Sequence, residues 1–106
     1  MKKGLSKTCY RFFSNLSNPT RLAAIEQLMK KPMSVNELSE SLGQEQSMIS
    51  HNLKSLLECN FVFLKKQGKK RIYSVNTETI GDLFKVIENH AQKFCHTGGK
   101  CHLKVT

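Results

Sequence analysis

A mainly helical fold carrying one β-hairpin, an α+β arrangement in the order ααααββα, is predicted by three features of the sequence. Apolar residues recur at helical spacing in five separate stretches. The stretch FVFLKKQGKKRIYSV breaks that rhythm with two strand-like runs on either side of Gly68. The two helices before it are separated by only about three residues, the spacing of a helix-turn-helix.

Residues 5–16 form the first helix, with Leu5, Cys9, Phe12, Phe13 and Leu16 on one stripe. The second starts at Pro19, whose missing N–H costs nothing in a first helical turn, with Asn18 or Ser17 as its cap. It buries Leu22, Ile25, Leu28 and Met29 and stops before Pro32, because the residue before a proline is pushed out of helical geometry. Ser34 and Glu37 have the spacing of a capping box and open the third helix, whose stripe is Val35, Leu38 and Leu42. Gly43 ends it in the left-handed conformation that glycine adopts without strain.

The fourth helix runs from about Glu45 to Glu58 on the stripe Ile49, Leu53, Leu56 and Leu57. Asn60 takes the left-handed position at its end. The hairpin follows, with strands over Phe61 to Leu64 and Ile72 to Val75 and Gly68 in the turn. A last helix starts near Thr77 to Thr79, buries Ile80, Leu83, Phe84, Ile87, Ala91 and Phe94, and ends at Gly98 and Gly99. A hairpin directly after a helix-turn-helix makes a winged helix-turn-helix. The expected organisation is one domain over residues 1–94 and a Cys/His tail over 95–106.

At 106 residues the chain has room for a single compact domain. Lys and Arg total 17 against 8 Asp and Glu, a formal charge of +9, which favours a polyanionic partner and most commonly nucleic acid. The longest apolar run, Phe61 to Leu64, is far short of the roughly 20 residues of a membrane span. MKKGLSKT lacks the long apolar core of a secretory signal. Cysteines at 9, 59, 95 and 101 do not have the spacing of a disulfide framework, so a cytoplasmic protein with reduced thiols is expected. No carboxylate pair, activated nucleophile or phosphate-cradling glycine loop marks an enzyme.

Opposite its apolar stripe, the fourth helix carries Ser47, Ser50, His51 and Lys54 at spacings of three, four and seven. Hydroxyls bond to base edges or phosphates, and Lys54 suits phosphate. Gln46 lies at the N-terminal end, where such helices meet base edges, and its amide can grip adenine by two bonds. A polar face alone is the ordinary solvated side of a surface helix. The wing changes that balance. Lys65, Lys66, Lys69, Lys70 and Arg71 place five cations within seven residues. Charge of this kind also guards a strand edge against aggregation. Yet five like charges repel one another, and double-stranded DNA relieves that repulsion.

Three stretches carry a family resemblance: LSNPTRLAAIEQLMKKPMSVNELSESLG, QSMISHNLKSLLECNFV and KKQGKKRIYSV. From about Phe12 to Phe94 the chain resembles the ArsR/SmtB family of small winged-helix repressors. The resemblance implies a homodimer joined through the first and last helices. It also implies operator DNA that is released when an inducer, usually a metal or metalloid ion, binds. The sequence departs from the family at two inducer sites. Ser34, Asn36 and Ser39 of MSVNELS stand where the arsenic- and cadmium-type site has thiolates, and these neutral groups are poor ligands for soft ions. Thr77, Thr79, His90 and Lys93 stand at the zinc-type site, which keeps only His90 as a ligand.

The tail FCHTGGKCHLKVT then becomes the leading inducer candidate. Cys95 and Cys101 supply two soft donors, His96 and His102 two borderline ones, a set compatible with Zn(II), Cu(I) or Cd(II). As(III) typically takes three thiolates, and Cys9 is the candidate for the third, since the family's dimer brings the first helix near the last. Cys9 on its apolar stripe is equally a small buried hydrophobe, and Cys59 is expected in the core. Two further readings of the tail stay open: a redox-responsive Cys95–Cys101 pair in a repressor of the same fold, and a tail without a ligand. An architectural basic DNA-binding protein with no inducer is the alternative for the whole chain.

Overall fold

The computed structural model describes residues 10–95, and the described chain forms two compact units, residues 10–76 and residues 77–95. The first holds α1 (Tyr10–Leu16), α2 (Pro19–Lys30), β1 (Met33–Ser34), α3 (Val35–Leu42), α4 (Gln46–Glu58), β2 (Val62–Gln67) and β3 (Lys70–Val75). The second holds a π-helical turn (Thr77–Gly81) leading into α5 (Asp82–Phe94). The winged helix-turn-helix is present, and among the described residues no helix is long and apolar enough to cross a membrane.

Local chemistry sets the helix ends as the sequence predicts. The Asn18 side chain accepts from the backbone N–H of Arg21 at 3.0 Å, and Pro19 follows in the first turn of α2. Lys31, held extended before Pro32, closes that helix. Ser34 and Glu37 form the reciprocal capping box of α3, at 3.2 Å and 3.0 Å. Gly43 at φ 64° ends α3. At the end of α4, Asn60 (φ 57°) donates to the Leu57 carbonyl and Phe61 donates to the Leu56 carbonyl, the two bonds of a Schellman motif. Leu56 and Phe61, the apolar pair that goes with this motif, are both fully buried.

The hairpin is longer than expected, because the basic residues extend the strands instead of forming a loop. Gln67 pairs with Lys70, leaving a two-residue turn in which Gly68 (φ 63°) takes the first central position. The sheet also has a third strand that periodicity does not reveal. Met33 and Ser34 pair with Tyr73 and Ile72, giving the order β1-β3-β2, all antiparallel. Two residues are too few to show an alternation pattern, and the free edge of β3 draws them into the sheet. The element order is therefore ααβααββα before the π turn is counted.

The core of the first unit gathers Ala24, Ile25 and Leu28 of α2, Leu38 of α3, and Ile49, Leu53 and Leu56 of α4. Phe61, Val62, Tyr73 and Val75 close it from the hairpin side. Some stripe residues lie outside it: Leu57 is half-buried, and Met29 and Phe13 are exposed. Cys59, expected in the core, is half-buried at the C-cap of α4, where the chain turns outward into the Schellman motif. In the second unit, α5 ends at Phe94 with Cys95 as its C-cap, short of the predicted stop at Gly98, which lies outside the described residues. Val86, Ile87 and Phe94 are exposed on that helix.

Leu53 is completely enclosed, so Leu53→Ala should lower stability by about 2–5 kcal/mol in urea unfolding. A second expectation concerns the α3 cap. The Ser34 backbone N–H, and after it the Ser34 side chain, hold the Glu37 carboxyl below the usual glutamate range, with help from Lys31 and Lys70. A depressed folded pKa stabilises the fold above the unfolded value, and that contribution fades as pH falls through the folded one. Glu37→Gln keeps a hydrogen-bond acceptor but removes the charge. Its stability deficit should therefore be present near neutrality and close under acid, as read from unfolding midpoints across pH.

Candidate nucleic-acid interface

Gln46, Ser47, Ser50, His51 and Lys54 are all exposed on α4, and the helical spacing of 47, 50, 51 and 54 puts those four on one side. Lys69, Lys70 and Arg71 are exposed at the wing tip. The tip borders the start of α3, where Lys69, Lys70 and Arg71 line a cleft with Ser34, Val35, Asn36 and Glu37. All eight residues expected to meet DNA thus lie on the first unit. In the wing Lys66 stands directly opposite Arg71, a like-charge pair that costs stability in the free protein.

The sequence reading missed two features of α4. Met48, in its first turn, is 51% exposed and adds an apolar surface beside Gln46 and Ser47, of the kind that meets thymine methyl groups. The other is a buried polar network. Arg21 of α2 donates from Nε to Asn52 Oδ1 (2.9 Å) and from Nη1 to Asn15 Oδ1 (2.9 Å). Ser55 Oγ donates to the same Asn15 oxygen at 2.9 Å, and Asn52 Nδ2 donates to the Met48 carbonyl at 3.0 Å. Asn15 is fully buried on α1, and its Nδ2 has no hydrogen-bond partner among the described residues. The available signal was Asn52 and Ser55 flanking the apolar stripe of α4, together with an arginine one turn inside a capped helix. Nothing local shows that the three meet.

A second cleft opens beside this network. Arg11, Arg21, His51, Lys54, Ser55 and Glu58 line it, and Arg11 Nη2 contacts Glu58 Oε1 at 2.6 Å. Its walls come from α1, α2 and α4.

The candidate ligands are only partly described. Cys95 is exposed at the end of α5, while Cys9, His96, Cys101 and His102 lie outside the described residues. Among the described residues no three His, Cys, Asp or Glu side chains cluster to hold an ion. Ser34 and Ser39 serve the fold: Ser34 caps α3, and the Ser39 hydroxyl donates to the Gln44 carbonyl. Thr77, Thr79 and Lys93 are exposed, and the exposed His90 ring packs on Phe94 with centroids 5.4 Å apart.

Residues 18–62 match the family model described as bacterial regulatory protein, arsR family. The chain is 34% identical over 76 residues to a probable mercury resistance operon repressor of Streptomyces lividans, a match over 72% of this chain. It spans 61% of that repressor's length. It is also 34% identical over 83 residues to the HTH-type transcriptional regulator Rv0081 of Mycobacterium tuberculosis, covering 73% of that protein. The crystal structure of Rv0081 superposes with a TM-score of 0.74 at 31% identity, over 82% of this chain and 88% of the other. A homodimeric winged helix-turn-helix DNA-binding domain of Mycobacterium bovis shares the fold, with a TM-score of 0.76 at 22% identity over 87% of this chain and 85% of the other.

The buried network makes Arg21 a structural residue. Arg21→Met leaves the Asn52 oxygen without its donor and should cost about 1–3 kcal/mol in chemical unfolding.

Proposed function

Because the chain belongs to the arsR family of bacterial regulatory proteins, we propose that it is a cytoplasmic, sequence-specific DNA-binding transcriptional repressor. The observation that carries this reading is the exposed face of α4 together with a wing whose cations oppose one another. Gln46 and Ser47 at the N-terminal end of α4 meet base edges. Ser50, His51 and Lys54 flank them, and Lys69, Lys70 and Arg71 neutralise phosphates without reading sequence. Nothing in this reading asks for catalysis, in keeping with a family of regulators.

The acting species is a homodimer. Tyr10 and Phe13 on α1, and Val86, Ile87 and Phe94 on α5, are exposed apolar side chains on the two helices expected to form its interface. Residues 1–94 then serve as the DNA-binding and dimerisation domain, and residues 95–106 as the regulatory tail. In the preferred reading a metal or metalloid ion, with Zn(II), Cu(I), Cd(II) and As(III) as candidates, is held by Cys95, His96, Cys101 and His102, with Cys9 as a further thiolate. This part rests on the donor chemistry of those residues in the sequence and on the named role of the mercury-resistance relative. As a switch the ion must favour the low-affinity dimer by about 1–3 kcal/mol. A thiol-redox switch at Cys95 and Cys101 is the second reading, supported by the exposure of Cys95.

Duplex binding should show a marked preference for a two-fold symmetric site over random DNA at fixed salt. Equal affinity for both would make the chain an architectural binder. Gln46→Ala should lose about 1–3 kcal/mol and relax base preference at one position, whereas neutralising Lys69, Lys70 and Arg71 should weaken all sequences alike. Titrating the protein–operator complex with each ion should release DNA from the wild type. The Cys95→Ser, Cys101→Ser double variant should hold its operator, and full release from that variant would remove the tail as sensor.

A further inference from the structure

We propose that the cleft walled by α1, α2 and α4 is a phosphate seat that takes one backbone phosphodiester of the duplex lying against α4. The proposal deepens the DNA-binding reading and rests on it. Three basic side chains, Arg11, Arg21 and Lys54, line this cleft against a single carboxylate, Glu58, so its charge favours an anion. His51 and Ser55 add neutral donors.

Rigidity distinguishes this cleft from an ordinary basic surface. The Arg21 guanidinium is fixed by two 2.9 Å bonds, from Nε to Asn52 and from Nη1 to Asn15. Those bonds leave Nη2 for a ligand in the cleft that Arg21 lines. A guanidinium already held in place loses little further freedom when it binds, and its planar fork matches phosphate oxygens. Arg11 is positioned differently, by its 2.6 Å contact with the exposed Glu58 carboxylate. An exposed pair of this kind contributes little to folding, so Arg11 turns toward a phosphate at small cost.

Location links the cleft to the duplex. His51 and Lys54 belong both to the exposed face of α4 and to the cleft wall. A helix lying in a major groove has a phosphate strand along each side, and this seat lies on the flank of α4 that faces α1 and α2. The wing cations and the seat therefore engage separate phosphates.

The test combines duplex affinity as a function of salt with a phosphate titration of the free protein. Arg11→Gln keeps a polar side chain at an exposed position and should fold. Its plot of log affinity against log salt should be flatter than wild type by about 0.9, the value of one neutralised phosphate. Between about 50 and about 200 mM salt it should lose roughly threefold less affinity than the wild type. Glu58→Gln removes the competing carboxylate and should bind duplex severalfold more tightly. In NMR spectra of the free protein, inorganic phosphate should shift the Arg21 Nε–H and Ser55 amide signals, and the Arg11→Gln, Lys54→Gln double variant should abolish those shifts.

An unchanged slope in Arg11→Gln, with wild-type binding to duplex intact, overturns the seat and leaves the DNA-binding reading standing. Phosphate-dependent shifts without any slope change make the cleft a site for free phosphate and overturn its assignment to the duplex. Shifts in a protein that binds no duplex support a phosphate site while removing the repressor reading. Silence in both measurements overturns both.

Discussion

The presentation of α4 depends on one half-buried guanidinium. Arg21 donates to Asn52 on α4 and to Asn15 on α1, so three helices share a single charged group. Holding the guanidinium by directional bonds to two neighbouring helices makes the geometry of the three helices mutually dependent. Ser55 adds a second link from α4 to the same Asn15 oxygen. Apolar packing through Ile49, Leu53 and Leu56 holds α4 against the core, but apolar attraction is non-directional and by itself sets no rotation about the helix axis. Directional bonds from Arg21 and Ser55 oppose such rotation, and with it any change in which side of Gln46, Ser47 and His51 faces outward.

The polar network and the basic surface are two uses of the same residue types. Arg21, hydrogen-bonded on one side and bordering a cleft on the other, belongs to both. Lys66 and Arg71 show the opposite arrangement, with charges set across a strand pair where they repel. The protein accepts that cost in a six-residue strand pair anchored at its base by Val62 opposite Val75, both buried. The core-facing end stabilises the hairpin, and the far end is free to carry charge. A polyanion relieves repulsion of this kind, and in the function proposed for this chain the wing therefore contributes strength of binding more than choice of sequence.

Much of the fold was legible because its signals are local. Asn18 with Pro19, Ser34 with Glu37, Gly43 and Asn60 each act within one turn of backbone, and each was found doing so. The exposed residues of α4 were also legible, since 3.6-residue periodicity separates them from the apolar stripe. The comparison with known proteins then confirmed the family to which NPTRL and SHNLKSL had pointed. The features that escaped are those that need a partner distant in sequence. Met33 and Ser34 become a strand only because β3 lies alongside, 38 residues later at Ser34↔Ile72. Asn15 and Ser55 meet across 40 residues, and each looks like an ordinary surface polar residue on its own helix.

The sequence by itself determined the element order apart from one short strand and the π turn, the boundaries of α2, α3 and α4 within a residue or two, and the basic, nucleic-acid-compatible character of the surface. These follow from backbone hydrogen-bonding rules and side-chain periodicity, which operate over a few residues. Tertiary structure alone decided that Asn15, Arg21, Asn52 and Ser55 form one network, that Met48 is exposed, and that Arg11 and Lys54 border a common cleft. The reason is physical: a polar side chain looks the same in sequence whether water or another side chain satisfies it, and only packing determines which.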